Sequence, residues 1–434
     1  MTLTTLLLAA MPVSALPPVT PDLLAIKVGK AETIDQGTLE HAVILIEDGK
    51  IVMIGEDLPI DRGIPVLDRD PEWTVMPGLV NAYSRGPLDS RGGNDSTPEL
   101  RASGELFLPE DFYDEVLELG VTTLGLYPAG NGIPGRAVAI RTKADTAEGL
   151  ILKDDAYLKI RMRSSGSAKK LLKKGFEDAD DWIEKEAKAR EKWEKAQEKA
   201  KKSKKSKKKD DKKDDKKDDK EDDKRVAVPV ASAPDDEEST EYVAPEKDGG
   251  AEAFLQLRER KLSALIAIGQ ASDYLHLLDA IGEEEFDWDL RIPITSELNI
   301  FNVKTEIGSR ACRVVMEPQL SQHPNTMRLR NLPMELSEAG AKLVLIPRDD
   351  SVRGHEAWLR NTGEMVGYGL DRQAALRAMT LEPAELMGVG DRVGSLTVGK
   401  DANLIFFESD PLEPGTRVKA VMFEGEFVTG EVKL

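Results

Sequence analysis

Two polar residues follow an apolar run in the sequence MPGLVNAYSRG, which covers residues 76–86. Side chains two residues apart on a strand point to the same side, so the run predicts a strand that presents Tyr83 and Arg85 together at its end. Two imidazoles at this spacing would hold a metal ion. A phenol and a guanidinium would not, because a guanidinium stays protonated and repels a cation. We therefore interpret Tyr83 and Arg85 as candidate ligand-binding residues for an anionic or sugar-like molecule.

A carboxylate follows a second apolar run, KLVLIP at residues 342–347. Asp349 and Asp350 are neighbours there, and Asp349 fits the end of the predicted strand slightly better. We take Asp349 as the candidate remnant of a catalytic site and as a third candidate ligand-binding residue. An ion pair of Asp349 with Arg348 or Arg353 is the alternative, structural interpretation.

The histidines and the cysteine lack the spacing of a metal site. No His-x-His or His-x-x-x-His pattern occurs among the histidines, which are His41, His276, His323 and His355. They are predicted to be surface or helix-capping residues. The single cysteine, Cys312, excludes an internal disulfide, and its apolar neighbours predict burial. No EF-hand loop, P-loop or Gly-x-Ser-x-Gly motif is present, so we expect no metal and no other cofactor; an all-oxygen calcium or magnesium site is the alternative, because Asp and Glu are plentiful.

Charge and hydropathy exclude two classes of partner. The chain has 434 residues, 40% of them hydrophobic, so it can bury a large core. Its net charge of −19 repels nucleic acids and anionic membranes. The opening MTLTTLLLAAMPVSALPPVTPD is typical of a secretory signal, which predicts a signal peptide over residues 1–18 and a periplasmic or extracellular protein. It lacks a basic n-region, so a start further upstream or an ordinary apolar segment is the alternative. Beyond it, no run reaches the roughly 18 apolar residues of a membrane span.

Both ends of the chain have β-patterns, and the middle has a different one. Short strands are predicted over residues 23–66 and 393–428, and Asp48-Gly49 between alternating apolar runs predicts a tight hairpin. In the middle, apolar runs alternate with helical stretches, which is typical of a parallel sheet buried on both faces. These runs are residues 121–128, 137–142, 262–269, 291–296, 312–318 and 342–347.

A charged segment interrupts the alternation. A helix over residues 176–200 is predicted from apolar residues three or four apart: Phe176, Ala179, Trp182, Ile183 and Ala187. The Lys and Asp repeats that follow, residues 201–225, contain no apolar residue and cannot repay the entropy of folding. Residues 201–250 are therefore predicted to be a disordered insertion in a loop.

Motifs near both ends resemble a known family. Gly394-Ser395-Leu396 and Gly399-Lys400-Asp401-Ala402-Asn403-Leu404, together with DGKIVMIG and MPGLVNA, are similar to the amidohydrolase superfamily, especially its imidazolonepropionase-like branch. The resemblance covers residues 23–163 and 252–434. It implies an α/β fold with a (β/α)8 TIM-like barrel and a small composite β-sandwich domain built from both termini. The implied division is signal peptide 1–18, sandwich 19–76, barrel 77–175, charged helix and insertion 176–250, barrel 251–385 and sandwich 386–434.

The family's metal ligands are missing from most of their expected places. The resemblance implies zinc or another divalent metal, held by His-x-His on strand 1, a Lys or Glu on a middle strand, one His each on strands 5 and 6, and an Asp on strand 8. The residues found at the ends of strands 1, 5 and 6 are Tyr83, Arg85, Ala267, Gly269, Thr295, Ser296 and Glu297. We therefore expect a degenerate member that keeps only Asp349 of the usual set.

Three functions follow from the resemblance. The expected one is a catalytically inactive subunit, a pseudoenzyme that supports an active amidohydrolase paralogue as its partner or associates with itself. The second is an active metal-dependent hydrolase of non-peptide C–N bonds, such as those of a cyclic amide or an acyl-amino compound. The third is a ligand-binding module that uses the old active-site mouth at Tyr83, Arg85 and Asp349.

Overall fold

The computed structural model describes residues 23–69, 71–93, 95–108, 111–210 and 241–430, without the side chains of residue 200 and residues 203–210. The predicted signal peptide, residues 1–18, and residues 211–240 of the predicted insertion lie outside the described residues, so these remain predictions. Residues 201–210 were also expected to be disordered, which is wrong, because they continue the charged helix. Within the described ranges, no helix combines the length and the apolar character needed to cross a membrane.

The described residues form short strands throughout the chain. These are β1 Leu23–Glu32, β2 Thr38–Glu47, β3 Lys50–Glu56, β4 Val66–Asp68, β5 Thr74–Pro77, β6 Leu79–Ser84, β7 Val121–Leu126, β8 Gly135–Arg136, β9 Val138–Arg141, β10 Ile151–Lys153, β11 Leu158–Arg161, β12 Ala264–Ala267, β13 Trp288–Arg291, β14 Arg313–Met316, β15 Ser321–Gln322, β16 Leu329–Arg330, β17 Lys342–Leu345, β18 Leu404–Phe407, β19 Ala420–Phe423 and β20 Glu426–Thr429.

Helices lie between many of these strands. They are α1 Asp111–Glu118, α2 Ala147–Leu150, α3 Gly166–Asp210, α4 Gly249–Arg258, α5 Ala271–Ile281, α6 Lys304–Ser309, α7 Leu332–Glu338, α8 Val352–Glu356, α9 Trp358–Gly367, α10 Arg372–Met379 and α11 Leu381–Leu386, with 3-10 turns at Ala102–Glu105 and Ile300–Asn302.

The largest sheet joins the two ends of the chain. Its strand order is β20-β19-β18-β5-β1-β2-β3, with β4 beside β1, and β18 pairs antiparallel with β5. The predicted hairpin is confirmed, because β2 and β3 pair antiparallel across Asp48 and Gly49. Their φ values of 48° and 75° suit the central positions of a type I′ turn. Strands from both termini therefore share one sheet.

The middle of the chain confirms the predicted α/β class. Strands β11, β12, β13, β14 and β17 are parallel neighbours, and β8 pairs antiparallel at the edge beside β11. A second sheet has the order β10-β9-β7-β6. Residues of both sheets meet in one buried apolar cluster that includes Val80, Ala139, Leu265, Val315 and Val344. The parallel strands bring their carboxyl ends to a common edge, where ligands bind in folds of this class.

Two strands differ from the sequence-based expectation. A strand is predicted over residues 291–296, but β13 ends at Arg291, because Pro293 has no N–H with which to continue the ladder. Arg291 therefore stands at the carboxyl end of its strand. The apolar pattern also does not predict β11, in which Leu, Lys, Ile and Arg alternate. Both differences bring cationic residues to the carboxyl edge of the parallel sheet.

The charged helix is longer than predicted. It covers residues 166–210 instead of 176–200, and its start packs Phe176 edge-on against Phe254 with ring centroids 4.9 Å apart. Further along, Glu184 pairs with Lys188 and Glu191 with Lys195, each four residues apart. Pairs of this orientation support an exposed helix by a few tenths of a kcal/mol each, roughly 0.2–0.5. Local ion pairs thus favour helix in a segment that has few apolar residues.

Candidate ligand-binding site

The carboxyl ends of β11, β12 and β13 surround a cavity of ≈ 580 Å³. Its charged and aromatic lining residues are Tyr83, Lys159, Arg161, Arg163, Asp273, Arg291 and Glu297. Basic residues outnumber acidic ones in this lining, although the chain as a whole carries a net charge of −19. Low-dielectric walls strengthen the field of such charges, so the cavity attracts an anion.

Lys159 is as deeply buried as Arg291 and more deeply than the other cations of this lining. The residue is 7% exposed, and its Nζ lies 4.0 Å from the centroid of the Tyr127 ring and 5.9 Å from that of Tyr83. Nζ also donates to the Gly130 carbonyl oxygen at 3.4 Å. Burial, together with the positive charges of Arg85 and Arg161, lowers the pKa of Lys159 to about 7. A large fraction of this amine is therefore unprotonated near neutral pH.

Tyrosine rings form one wall beside this amine. Tyr83 and Tyr127 stack with centroids 4.0 Å apart and ring planes 26° apart, and the Arg291 guanidinium lies 5.2 Å from the Tyr83 centroid. Burial raises the pKa of Tyr83 and raises that of Tyr127 well above its usual range. Both phenols therefore stay protonated at neutral pH. The Lys159 amine and the Arg291 guanidinium lie over the faces of their rings in cation–π contacts.

Arg291 and Arg161 have different partners. Arg291 forms a buried ion pair with Glu317, whose Oε2 also accepts from the Ile294 backbone N–H at 3.1 Å. Among the described residues, Nε of Arg291 has no hydrogen-bond partner. Arg161 donates from Nη1 to Asn131 Oδ1 at 2.6 Å, a neutral acceptor. The Asp273 carboxylate binds backbone amides: its Oδ2 accepts from the N–H of Gly269 at 3.0 Å and from that of Gln270 at 3.1 Å.

The residues proposed from the sequence lie in different places. Tyr83 lines the cavity, whereas Arg85 does not and donates to the carbonyl oxygens of Tyr127 at 2.9 Å and Ser90 at 2.8 Å. Asp349 is exposed and accepts hydrogen bonds from Ser351, which together lower its pKa. The neighbouring Asp350 is the one that faces the strand ends, because its Oδ2 accepts from the Arg85 N–H at 2.9 Å.

One histidine differs from its predicted position. His355 is 3% exposed, so the surface placement is wrong for this residue. Its Nδ1 lies 2.9 Å from the Ser351 carbonyl oxygen and its Nε2 lies 3.1 Å from Asn81 Nδ2. These contacts fit the neutral tautomer in which Nδ1–H donates and Nε2 accepts, and burial lowers the pKa of the imidazole. His355 thus fastens α8 to the end of β6.

The donor set does not fit a divalent metal. In the part of the chain that the structure describes, no three His, Cys, Asp or Glu side chains are grouped so that they could share one cation. The strand ends present Lys159, Arg161 and Arg291 to the cavity instead. Lysine is a residue type that the resemblance implies on a middle strand, but the neighbours of Lys159 repel a dication.

The cations of the cavity are not among the residues predicted from the sequence. Lys159 and Arg161 alternate with Ile160 in the run YLKIR, and this period of two places both side chains on one face. That alternation was the available signal. No sequence pattern indicates that Arg291 lines the cavity, because this depends on the residue at which β13 ends.

Comparisons with known proteins agree on the type of fold. Residues 326–428 match the model of the Amidohydrolase family. The crystal structure of an amidohydrolase from Thermotoga maritima MSB8 is similar with a TM-score of 0.70 and 20% identity over 94% of this chain and 100% of that chain. A prolidase complexed with N-methylphosphonate-L-proline is similar with a TM-score of 0.50 and 15% identity over 94% of this chain and 100% of that chain. The fold is therefore amidohydrolase-like.

One curated relative matches over a short stretch. Amidohydrolase tasK of Hapsidospora irregularis is 40% identical over 58 residues, which are 13% of this chain and 6% of that protein. The match thus spans a small part of either protein.

Proposed function

We propose that this protein is a hydrolytically inactive, amidohydrolase-like protein that binds a small organic anion in the cavity at the ends of β11–β13. The observation that carries the proposal is that the described residues group no three His, Cys, Asp or Glu side chains around one point, while the strand ends present Lys159, Arg161 and Arg291 to the cavity. Metal-assisted hydrolysis needs a cation that polarises a carbonyl and activates water, and these residues repel one. The same charges favour a carboxylate.

The dimensions of the cavity support a small ligand. A volume of ≈ 580 Å³ falls within the range of ordinary small-molecule pockets, about 300–1,000 Å³. Arg161 can offer a charge-assisted hydrogen bond, because its present acceptor is the neutral side chain of Asn131. Tyr83 and Met162 provide apolar contact surface for the rest of the molecule.

Titration calorimetry tests this function. Lactate, succinate and inorganic phosphate are titrated into the full chain, with lactamide as the neutral analogue of lactate. We expect saturable binding of a carboxylate and none of lactamide. Arg161→Gln should weaken binding about 10- to 100-fold, the loss of one charge-assisted hydrogen bond. The matched control is Arg62→Gln, an exposed arginine on a loop away from the cavity. Equal binding of lactate and lactamide would overturn the proposal.

Metal analysis tests the proposed absence of hydrolytic activity. Protein purified from its native source should contain no stoichiometric zinc or manganese, and added zinc should not produce hydrolysis of cyclic amides or acyl-amino compounds. Tightly bound metal together with such hydrolysis would establish the active hydrolase instead.

We also propose the finer architecture expected from the sequence, a closed (β/α)8 barrel with a composite sandwich. What supports closure is the linkage between β6 and the segment after β17: the Arg85 N–H donates to Asp350, and Asn81 contacts His355. An experimental map should show β6 and β17 as neighbours in one ring of strands. Separate open sheets would contradict the barrel.

We propose that the protein pairs with an active amidohydrolase or with a second copy of itself. A protein that keeps this fold without hydrolytic chemistry can act by stabilising or regulating a relative. Purification from the native source, followed by mass spectrometry and size measurement, should identify an amidohydrolase paralogue or a homo-oligomer. A monomer that co-purifies with neither would refute the pairing.

A further inference from the structure

The cavity contains an amine with an unusual set of neighbours. Within the described residues, Nζ of Lys159 has two aromatic rings and the Gly130 carbonyl oxygen as its contacts, and no carboxylate forms an ion pair with it. A lysine kept only for its charge is normally placed where water or an acidic partner compensates that charge. Among the described residues Lys159 has no acidic partner, and it lies on the cavity wall.

We propose that Lys159 is a nucleophile that forms a Schiff base with the carbonyl carbon of a small oxo carboxylic acid. This inference rests on the proposed anion-binding function, and it names the class of compound bound. Lysines that react with carbonyl compounds are desolvated or placed beside another cation, and Lys159 meets both conditions. Burial and the charges of Arg85 and Arg161 lower its pKa to about 7, which supports this role at neutral pH.

The strand geometry places the anion-binding group beside the amine. Lys159 and Arg161 lie on the same face of β11, about 7 Å apart along the strand. Both side chains are long, so a carboxylate on Arg161 leaves the adjacent carbonyl carbon within reach of Nζ. Arg291 adds positive charge across the cavity while its own ion pair with Glu317 holds it in place.

The chemistry balances without an added oxidant or reductant. The unprotonated amine of Lys159 attacks the carbonyl carbon, the C=O π bond breaks, and a proton passes from nitrogen to oxygen to give a carbinolamine. The C–O bond then breaks, the second nitrogen proton leaves with the hydroxyl as water, and a C=N bond forms. The products are one imine and one water. Protonation of this imine would make it an electron sink for the neighbouring carbon atom.

Reductive trapping tests the proposal. The full chain is incubated with pyruvate and sodium cyanoborohydride near neutral pH, and intact mass and peptide mapping locate the adduct. We expect one adduct at Lys159, formed at least tenfold faster than at the exposed Lys143, and a rate that rises as pH increases through about 7. Acetone, which lacks the carboxylate, should be trapped more slowly. Equal labelling of Lys159 and exposed lysines would overturn the proposal, and this mapping needs no variant.

Two further variants separate this inference from the anion-binding function. Lys159→Arg removes the nucleophile, so it should lose the pyruvate adduct, while lactate binding by the unchanged chain reports on the anion-binding function separately. Arg161→Gln should lose lactate binding and slow the trapping. Lactate binding without an adduct at Lys159 would overturn the Schiff base alone. An adduct at Lys159 whose rate is unchanged in Arg161→Gln, with no carboxylate binding in calorimetry, would overturn the anion-binding function.

Discussion

Replacing Lys159 with Met should stabilise the protein in a pH-dependent way. The Lys159 pKa falls from 10.5 to about 7 on folding, so the unfolded chain binds the proton more tightly. The unfavourable contribution of this amine is therefore complete below pH 7, declines as pH rises from 7 to 10.5, and vanishes above that. Met has a similar length and apolar character, and it removes the charge.

The size of the effect follows from the two pKa values. Linkage gives the folded wild type about 2–3 kcal/mol more stability at about pH 9 than at about pH 6 from this one group. The lost cation–π contact with Tyr127, worth about 1–2 kcal/mol, offsets part of the gain at low pH. Comparing the variant with wild type at each pH cancels all other titrating groups that the two share.

Urea unfolding at the two pH values measures the difference. Lys159→Met should raise the midpoint more at about pH 6 than at about pH 9. The control, Lys143→Met, changes an exposed lysine on the loop after β9 and should give equal shifts at both pH values. An equal shift for Lys159→Met at both pH values, or a larger loss of stability at the lower one, would refute a desolvated amine at this position.

The remaining predictions concern residues around the cavity and the end of β6. His355→Gln should make the stability depend less on pH in the acid range. Burial keeps the pKa of the folded imidazole below 6.5, so the stability of the unchanged protein falls as the pH decreases from 6.5 toward that lower value. An unchanged dependence of the urea midpoint on pH in this range would contradict the prediction. Tyr157→Phe removes a buried phenol that donates to the Ala82 carbonyl oxygen at 2.9 Å, so unfolding in urea at neutral pH should show a loss of about 1–3 kcal/mol; wild-type stability would argue against that hydrogen bond. Glu317→Gln leaves the Arg291 guanidinium buried without its charge partner and should cost about 3–5 kcal/mol in the same assay, whereas the double change Glu317→Leu with Arg291→Met should recover most of it.

The sequence predicted those parts of the fold that depend on local patterns. Asp48 and Gly49 both adopt positive φ, and few residue types other than Asp, Asn and Gly do so easily, so a turn there was visible in the composition of two residues. The central strands were visible because strands buried on both faces leave continuous apolar runs, as in β14 and β17.

Most of the candidate site depended on features that local sequence patterns carry weakly or not at all. β11 has four residues, two of them charged, so its apolar content was too small to indicate a strand. The end of β13 was misplaced by the apolar residues around Pro293, which hid the position of Arg291. Asp349 and Asp350 were distinguishable only through the direction of the loop, since Asp350 receives the Arg85 N–H and Asp349 turns to Ser351. Tertiary placement decided each of these cases.

The charge distribution of the cavity links stability to function. Lys159, Arg161 and Arg291 lie at one mouth, and the buried ion pair with Glu317 compensates only Arg291. A buried cation without an acidic partner, such as Lys159, reduces stability, and an anion that binds beside it would restore it by mass action. The same anion would favour the protonated form of Lys159, so ligand binding should be coupled to proton uptake near neutral pH. The imine formed from an oxo acid still carries a basic nitrogen that a nearby carboxylate favours in its protonated form, so proton uptake is also expected for a ligand that reacts with Lys159.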